Sequence, residues 1–573
     1  MREVVFVTPT DAENILLESL GPLLLATILR DQGIESHILS FSRFGDHSNF
    51  PAFLEEGIRQ ICEKKPKILS CYTRSDCFHI MLKIAEAVKE RIGCVVVFGG
   101  PQADIVAREI ITEIPYVDYV CCGEGETTVY PLFSSILRGE PDLSVDGLVY
   151  RKDGHVYMNP RPALIEDLDA LPMPDYSIFP ENSCVRPAVA FPLDVGRGCP
   201  FGCTYCSTKT FWGRKYRLKS PKRIVEEMKF FYERFGVKHF NFQHDMFTMN
   251  RELVKETCHL IKELPFRCKW NCSARLDCID RELIDIMADA GLHFMYLGIE
   301  TGSPRMQRLI NKNLKLEKLP EMVSYLMEKN VEIATSFIFG FPEETEEDIS
   351  QTLAVVMDLL RFKKVRVQMH RCGFLPGTAL FDRYKDRLEP TTVYSDMTGS
   401  LGVAECKDLL LSHPDLFQYY NEYTTELRTK LNFFPEFLNV ATYTRSIYLY
   451  LAGRYPRENL IQMYFDFAEK NREVLAREHL TQHEKLHKIV ENDLFVASFK
   501  DDPYGQAMLE ASRLYRARSA VANGKAESIT EVAGISPTDL DKGLPLPECE
   551  KVLTMVTYRK NNRGAVEILV GRI

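Results

Sequence analysis

From Leu193 to Arg371 short β-rich runs alternate six times with helix-compatible segments, and that alternation confines the chain to parallel strands covered by helices. The runs are LDVGR, HFNFQHD, KWNCSARL, FMYLGIE, IATSFIFGF and VRVQMHR; Ser220-Pro221, Asn250, and Thr345 with Asp348 mark helix starts between them. Six units predict an incomplete barrel whose reactive face lies at the strand carboxyl ends. A second alternation fills the first 135 residues, with EVVFV, SHILS, KILSCY, CVVVFGG and VDYVCCG as strands. Between the third and fourth of these, Phe78, Met81, Leu82, Ala85, Val88 and Ile92 recur at helical spacing until Gly93 stops them. This is the pattern of a doubly wound, Rossmann-like α/β domain, which binds ligands at its strand carboxyl ends. Those ends carry Thr8-Pro9-Thr10, Ser70-Cys71-Tyr72-Thr73, Gly99-Gly100-Pro101 and Gly123-Glu124-Gly125-Glu126. For any one of them, ordinary turn chemistry explains the glycine equally well. Neither GxGxxG after the first strand nor GxxxxGK[ST] is present, so a dinucleotide or P-loop nucleotide is unsupported.

A length of 573 residues suggests two to four domains. Residues 141–190, with LIEDLDALPMPDYSIFPENS, lose periodicity and read as a linker between a domain at 1–140 and the barrel at 191–400. Residues 401–573 read as mainly helical, with an aromatic stripe suited either to a helical core or to a substrate wall. They close on KVLTMVTYRKNNRGAVEILVGRI, a terminal β-hairpin. A net charge of −9 disfavours nucleic acid. No apolar run approaches the roughly eighteen residues of a membrane span, and MREVVFVTPT lacks a signal-peptide core, so a cytoplasmic location is expected.

Seventeen cysteines, an odd number scattered through strands and helices, argue for reduced thiols. Three of them cluster in GRGCPFGCTYCS, just past the barrel's first strand, as Cys199, Cys203 and Cys206. A structural zinc site wants four ligands, commonly as paired CxxC motifs. Three thiolates at CxxxCxxC spacing suit an iron–sulfur cubane with one iron left open.

These cysteines, with Tyr205 before the last, resemble the signature of the radical S-adenosylmethionine superfamily over residues 190–380. The resemblance implies a [4Fe-4S] cluster on Cys199, Cys203 and Cys206 whose open iron chelates S-adenosylmethionine, and reductive cleavage to a 5′-deoxyadenosyl radical that takes hydrogen from an unactivated carbon. It further implies cofactor contacts from Tyr205, from Asp245 to the methionyl amino group, from Ser273, Arg275 and Glu300 to carboxylate or ribose, and from the fifth-strand IFGFPEET to adenine. An α/β domain ending in GEGE and joined through LPMPDYS to such a barrel is similar to the cobalamin-binding members of that family, over residues 1–380. On that likeness Thr10, Ser70, Thr73, Gly99, Gly100, Gly123, Gly125 and Glu126 would contact the corrin. DxHxxG, the usual source of a histidine ligand to cobalt, is absent. The implied activity is C-methylation of a small-molecule, peptide or natural-product substrate, fed by an external flavodoxin- or ferredoxin-like electron donor. Cyclisation or rearrangement is the alternative, and a non-catalytic cobalamin or iron–sulfur sensor the third.

Overall fold

Buried β-branched runs with helices on both faces make the amino-terminal sheet. In the computed structural model its strands are β1 (Val4–Thr8), β2 (Ser36–Ser40), β3 (Ile68–Tyr72), β4 (Val95–Gly99) and β5 (Tyr119–Cys121), parallel in the order β2-β1-β3-β4-β5. The structure describes residues 3–9, 20–178 except 42–43 and 46–48, 190–392 except 363, 398, 401–438 except 436, 453, 455–475 except 471, 554–560 and 566–572. Thr10 lies outside them. The helix Phe78–Ile92 forms where its periodicity predicts, burying Phe78, Met81, Leu82, Ala85 and Val88. It ends at Gly93, whose left-handed backbone (φ 68°) donates its N–H to Lys89 O.

The expected linker carries structure of its own. β6 (Leu148–Lys152) and β7 (His155–Met158) form a hairpin that joins β5 antiparallel and extends the sheet to seven strands. Its turn is Asp153-Gly154, both left-handed (φ 50° and 75°), the two-residue geometry that matches strand twist.

The predicted six-fold alternation is borne out by β8 (Phe191–Asp194), then, after the short strands β9 (Gly196–Arg197) and β10 (Arg217–Leu218), by β11 (His239–Gln243), β12 (Lys269–Ala274), β13 (Leu292–Glu300), β14 (Glu332–Phe339) and β15 (Val365–Arg371). The sheet order is β8-β11-β12-β13-β14-β15, and every pair from β8 to β14 is parallel. Side-chain caps start the helices as expected: Ser220 Oγ accepts the N–H of Arg223, and Asn250 Oδ1 that of Leu253.

The chain groups into two compact units, one of residues 1–300, 304–343 and 370–425, the other of 301–303, 344–369 and 426–573. In the first, residues 401–425 pack on the amino-terminal domain. The Phe417 ring lies 5.3 Å from that of Phe78, and His79 and Gln102 bond the carbonyls of Leu401 and Leu416. Gln102 is thereby turned into the core. In the second unit, Thr345 and Asp348 form the predicted capping box, and Phe434, Phe437, Tyr464 and Phe467 pack on one another as a local helical core. Strands Thr554–Lys560 and Val566–Arg572 make the terminal hairpin. Among the described residues no helix is long and apolar enough to cross a membrane.

Candidate functional site

The segment from Gly198 to Tyr216 leaves β9 and returns at β10, and the two strands pair antiparallel to close it at its base. Gly198 is required at the exit: its φ is +89°, and a Cβ there would stand 2.1 Å from Lys215 O. Cys199, Cys203 and Cys206 all line one cavity of about 1050 Å³ within the first unit, at the upper end of the roughly 300–1,000 Å³ usual for small-molecule sites. Tyr205, Asp245, Ser273, Arg275 and Glu300 share its lining, and the facing wall carries Gly99, Gly100, Gly123, Gly125 and Glu126. The strand carboxyl ends of both domains thus open on the same space.

Three half-buried thiols in one wall fit a cluster that takes its thiolates on separate irons. Among the described residues no three His, Cys, Asp or Glu side chains close on a single ion. Burial pushes the Cys199 and Cys203 thiols up, while Lys312 and Arg275 draw Cys203 back toward the thiolate. Arg275 Nη1 lies 3.8 Å from Cys203 Sγ, and the Thr208 hydroxyl 3.3 Å from Cys206 Sγ and 3.5 Å from Asp245. Asp245 is pulled two ways: burial raises its carboxyl, and the Gly198 N–H and Thr208 hydroxyl oppose the rise.

Glu300 ends β13 in the left-handed region (φ 69°), a costly conformation for a non-glycine residue that persists only where the surroundings fix it. Its Oε1 accepts from Lys312 Nζ at 2.5 Å, and the same ammonium stands 3.5 Å from the Tyr205 hydroxyl. Both members of the pair are buried.

The GEGE loop is clamped to the cysteine segment. Arg197 Nη1 donates to Glu124 and Nη2 to Glu126, each at 2.5 Å; Arg217 adds a bond to Glu124 at 2.9 Å. Both guanidiniums also stand over the Trp212 ring, at 5.7 and 5.6 Å. Glu126 therefore spends its carboxylate on Arg197 while lining the cavity.

Two residues implied by the corrin resemblance lie elsewhere. Thr73 is fully buried; its hydroxyl donates to Gly99 O and accepts the Ala103 N–H, and Ser70 sits within β3, so neither lines the cavity. Gly100 and Gly123 answer first to the chain itself. A Cβ at Gly100 would meet Thr73 O at 2.7 Å, and one at Gly123 would meet Pro162 at 2.9 Å.

Among the described residues, His244 is the one histidine in the lining. Its Nδ1 accepts the Met246 N–H at 2.7 Å, and burial holds its pKa down to about 4 against the pull of the Arg217 carbonyl. The unfolded imidazole titrates near 6.5, so below that pH the unfolded chain takes up a proton that the native site refuses. Local stability is expected to fall by roughly 2–3 kcal/mol between pH 6.5 and 4 on this account, and amide protection around residue 244 should depend less on pH in His244→Asn than in wild type in that window.

Lys312, Thr208, Arg197, Arg217 and Trp212 escaped sequence reasoning. Only Arg197 and Thr208 had a signal, adjacency to the cysteine motif.

The radical SAM superfamily model matches residues 193–356 and the B12 binding domain model residues 16–132. An uncharacterized methyltransferase of Pyrococcus horikoshii, PH0819, is 30% identical over 276 residues, covering 48% of this chain and 60% of that protein. An anaerobic magnesium-protoporphyrin IX monomethyl ester cyclase of Rubrivivax gelatinosus is 28% identical over 53% of this chain and 56% of its own length. The chain thus spans little more than half of these curated relatives. In fold it is similar to the radical S-adenosylmethionine methyltransferase TsrM of Kitasatospora setae, with TM-score 0.56, 17% identity, and coverage of 69% of this chain and 79% of that one. It is also similar to the cobalamin-dependent S-adenosylmethionine radical enzyme OxsB, with TM-score 0.58, 14% identity, and coverage of 93% and 82%.

Proposed function

We propose that the chain, in which the radical SAM superfamily model matches residues 193–356 and the B12 binding domain model the preceding residues 16–132, is a cobalamin-dependent radical S-adenosylmethionine C-methyltransferase acting on a small natural-product or peptide substrate. The observation that carries this reading is the single cavity walled by the cysteine segment on one side and the first domain's strand-end loops on the other. The cofactors such a cavity would take supply, when bound, hydrogen abstraction at an unactivated carbon and a transferable methyl group.

In this reading Cys199, Cys203 and Cys206 hold the [4Fe-4S] cluster. Asp245, Ser273 and the Glu300–Lys312 pair are the polar groups available to S-adenosylmethionine, with Tyr205 packed beside them. The Gly99-Gly100 turn and the GEGE loop, with Gly123 and Gly125, form the corrin side. Among the described residues, no histidine of the first domain lines the cavity. The Arg197 and Arg217 clamp ties the two walls together through Glu124 and Glu126. An external donor of the flavodoxin or ferredoxin class would supply the electron. The domain division that goes with the reading is a corrin domain at 1–140 extended by the β6–β7 hairpin, a radical domain at 191–400, and a carboxy-terminal region whose first 25 residues belong with the corrin domain.

The experiment is anaerobic reconstitution with iron, sulfide and hydroxocobalamin, followed by optical measurement of retained corrin and assay of products from S-adenosylmethionine under reduction. S-adenosylhomocysteine and 5′-deoxyadenosine formed together support methyl transfer. Deoxyadenosine alone favours the ring-forming reading, for which the cyclase named among the relatives is the reason. Absence of both products leaves the sensor.

A further inference from the structure

Arg275 directly follows the last residue of β12 and is buried at 6% exposure, and its polar contacts differ from those of a side chain waiting for a ligand. Nε and Nη2 fork onto the two carboxylate oxygens of Asp277, each at 2.9 Å, and Nη2 also donates to Lys312 O at 2.8 Å. The guanidinium carbon stands over Phe201, 3.8 Å from the ring centre. A guanidinium has five N–H donors, and these contacts take three of them while fixing its plane. A fourth, on Nη1, meets Cys203 Sγ at 3.8 Å. One donor is left over.

The charge near that sulfur is lopsided. Asp277 is 43% exposed and screened by water, whereas the Arg275 side chain is 7% exposed. Lys312, the other cation beside Cys203, is neutralised by buried Glu300. Of the two cations that draw Cys203 toward the thiolate, Lys312 is the stronger but faces buried Glu300, and Arg275 is the one whose N–H is in reach of the sulfur.

We propose that Arg275 is a positioning residue for the cluster, donating an N–H···S bond to the Cys203 thiolate and thereby setting the cluster's reduction potential. This rests on the reading of Cys199, Cys203 and Cys206 as cluster ligands, and it takes Arg275 away from the cofactor-contact role implied by resemblance. One-electron reduction adds negative charge to cluster and thiolates, so a fixed donor on a ligand sulfur stabilises the reduced form more than the oxidised one and raises the potential.

The test uses the full chain reconstituted with iron and sulfide alone, without S-adenosylmethionine or cobalamin, and an anaerobic potentiometric titration followed by electron paramagnetic resonance. Arg275→Gln is expected to keep wild-type iron content and to titrate at a more negative midpoint. Arg275→Lys, which keeps the charge and loses the fork, should fall between the two. A wild-type midpoint in Arg275→Gln at full iron content overturns the assignment. Should Arg275→Gln fail to hold iron, Arg275→Lys decides, and a midpoint equal to wild type overturns the assignment. Loss of iron from both variants would make Arg275 a structural residue and likewise overturn it. A wild-type chain that binds no reducible cluster would instead overturn the reading on which the assignment rests.

Discussion

Cys203→Ala should leave the chain without a reducible iron–sulfur cluster and cut reductive cleavage of S-adenosylmethionine to background. Cys203 is the middle cysteine of the CxxxCxxC segment, and the Cys206 N–H bonds its carbonyl at 3.3 Å. Removing one of three thiolates leaves two irons of a cubane open rather than one, and nothing else in the lining offers a replacement sulfur from the same segment. Cys278 supplies the control. It lies close enough to Cys199 for their charges to interact, yet it does not line the cavity, and burial pushes its thiol up to about 11. Cys278→Ser should therefore retain iron and activity. Iron per chain and 5′-deoxyadenosine formed are the two measurements; full activity in Cys203→Ala would refute the cluster, and iron lost only from Cys278→Ser would relocate it.

The second large effect belongs to the clamp. Glu124 is 1% exposed and is held by two guanidiniums that are 11% and 5% exposed; Glu124→Gln takes from the buried Arg217 its carboxylate partner, while Arg197 keeps Glu126 and Asp194. Breaking a buried pair by removing one partner costs about 3–5 kcal/mol, whereas an exposed pair costs about 0–1. Because the chain has two compact units, the loss should be read locally, as faster amide exchange across residues 123–126 and 196–198, rather than from one global midpoint. Unchanged protection there would show the clamp to be idle. The pH dependence has a definite sign. Burial raises the Glu124 carboxyl, but Arg217, the Ile165 N–H and Arg197 together bring it below its ordinary 4.5. The native carboxylate thus gives up its proton more readily than the unfolded one, and its contribution is complete above pH 4.5 and is lost as the pH falls through the native value. Wild type should lose this protection on acidification below 4.5, and Glu124→Gln should already lack it at neutral pH.

What could be read from the sequence follows how local each signal is. The barrel strands and the cysteine segment declare themselves within a dozen residues, because hydrophobic periodicity and ligand spacing are properties of short windows. The β6–β7 hairpin was legible in principle: Asp153-Gly154 between LVYRK and HVYM is a strong turn signal, obscured by the proline-rich stretch that follows it. The clamp was not legible, since Glu124 lies 73 residues from Arg197 and 93 from Arg217, and a pairing over that distance leaves no periodicity behind. Arg275 shows the same limit at a single side chain. Its place at a barrel strand end is readable, but whether its donors face a ligand or a neighbouring sulfur depends on Asp277 and Phe201 fixing its plane.

The chain contains two tryptophans, and their surroundings are unlike. Trp270 is sealed at 0% exposure, stacked on Phe242 and bonded through its indole N–H to Ala290 O. Trp212 is half-buried beneath the paired guanidiniums of Arg197 and Arg217. Indole emission that responds to ligands in the cavity therefore originates from one ring, and the protein carries its own optical gauge of whether the GEGE loop is docked.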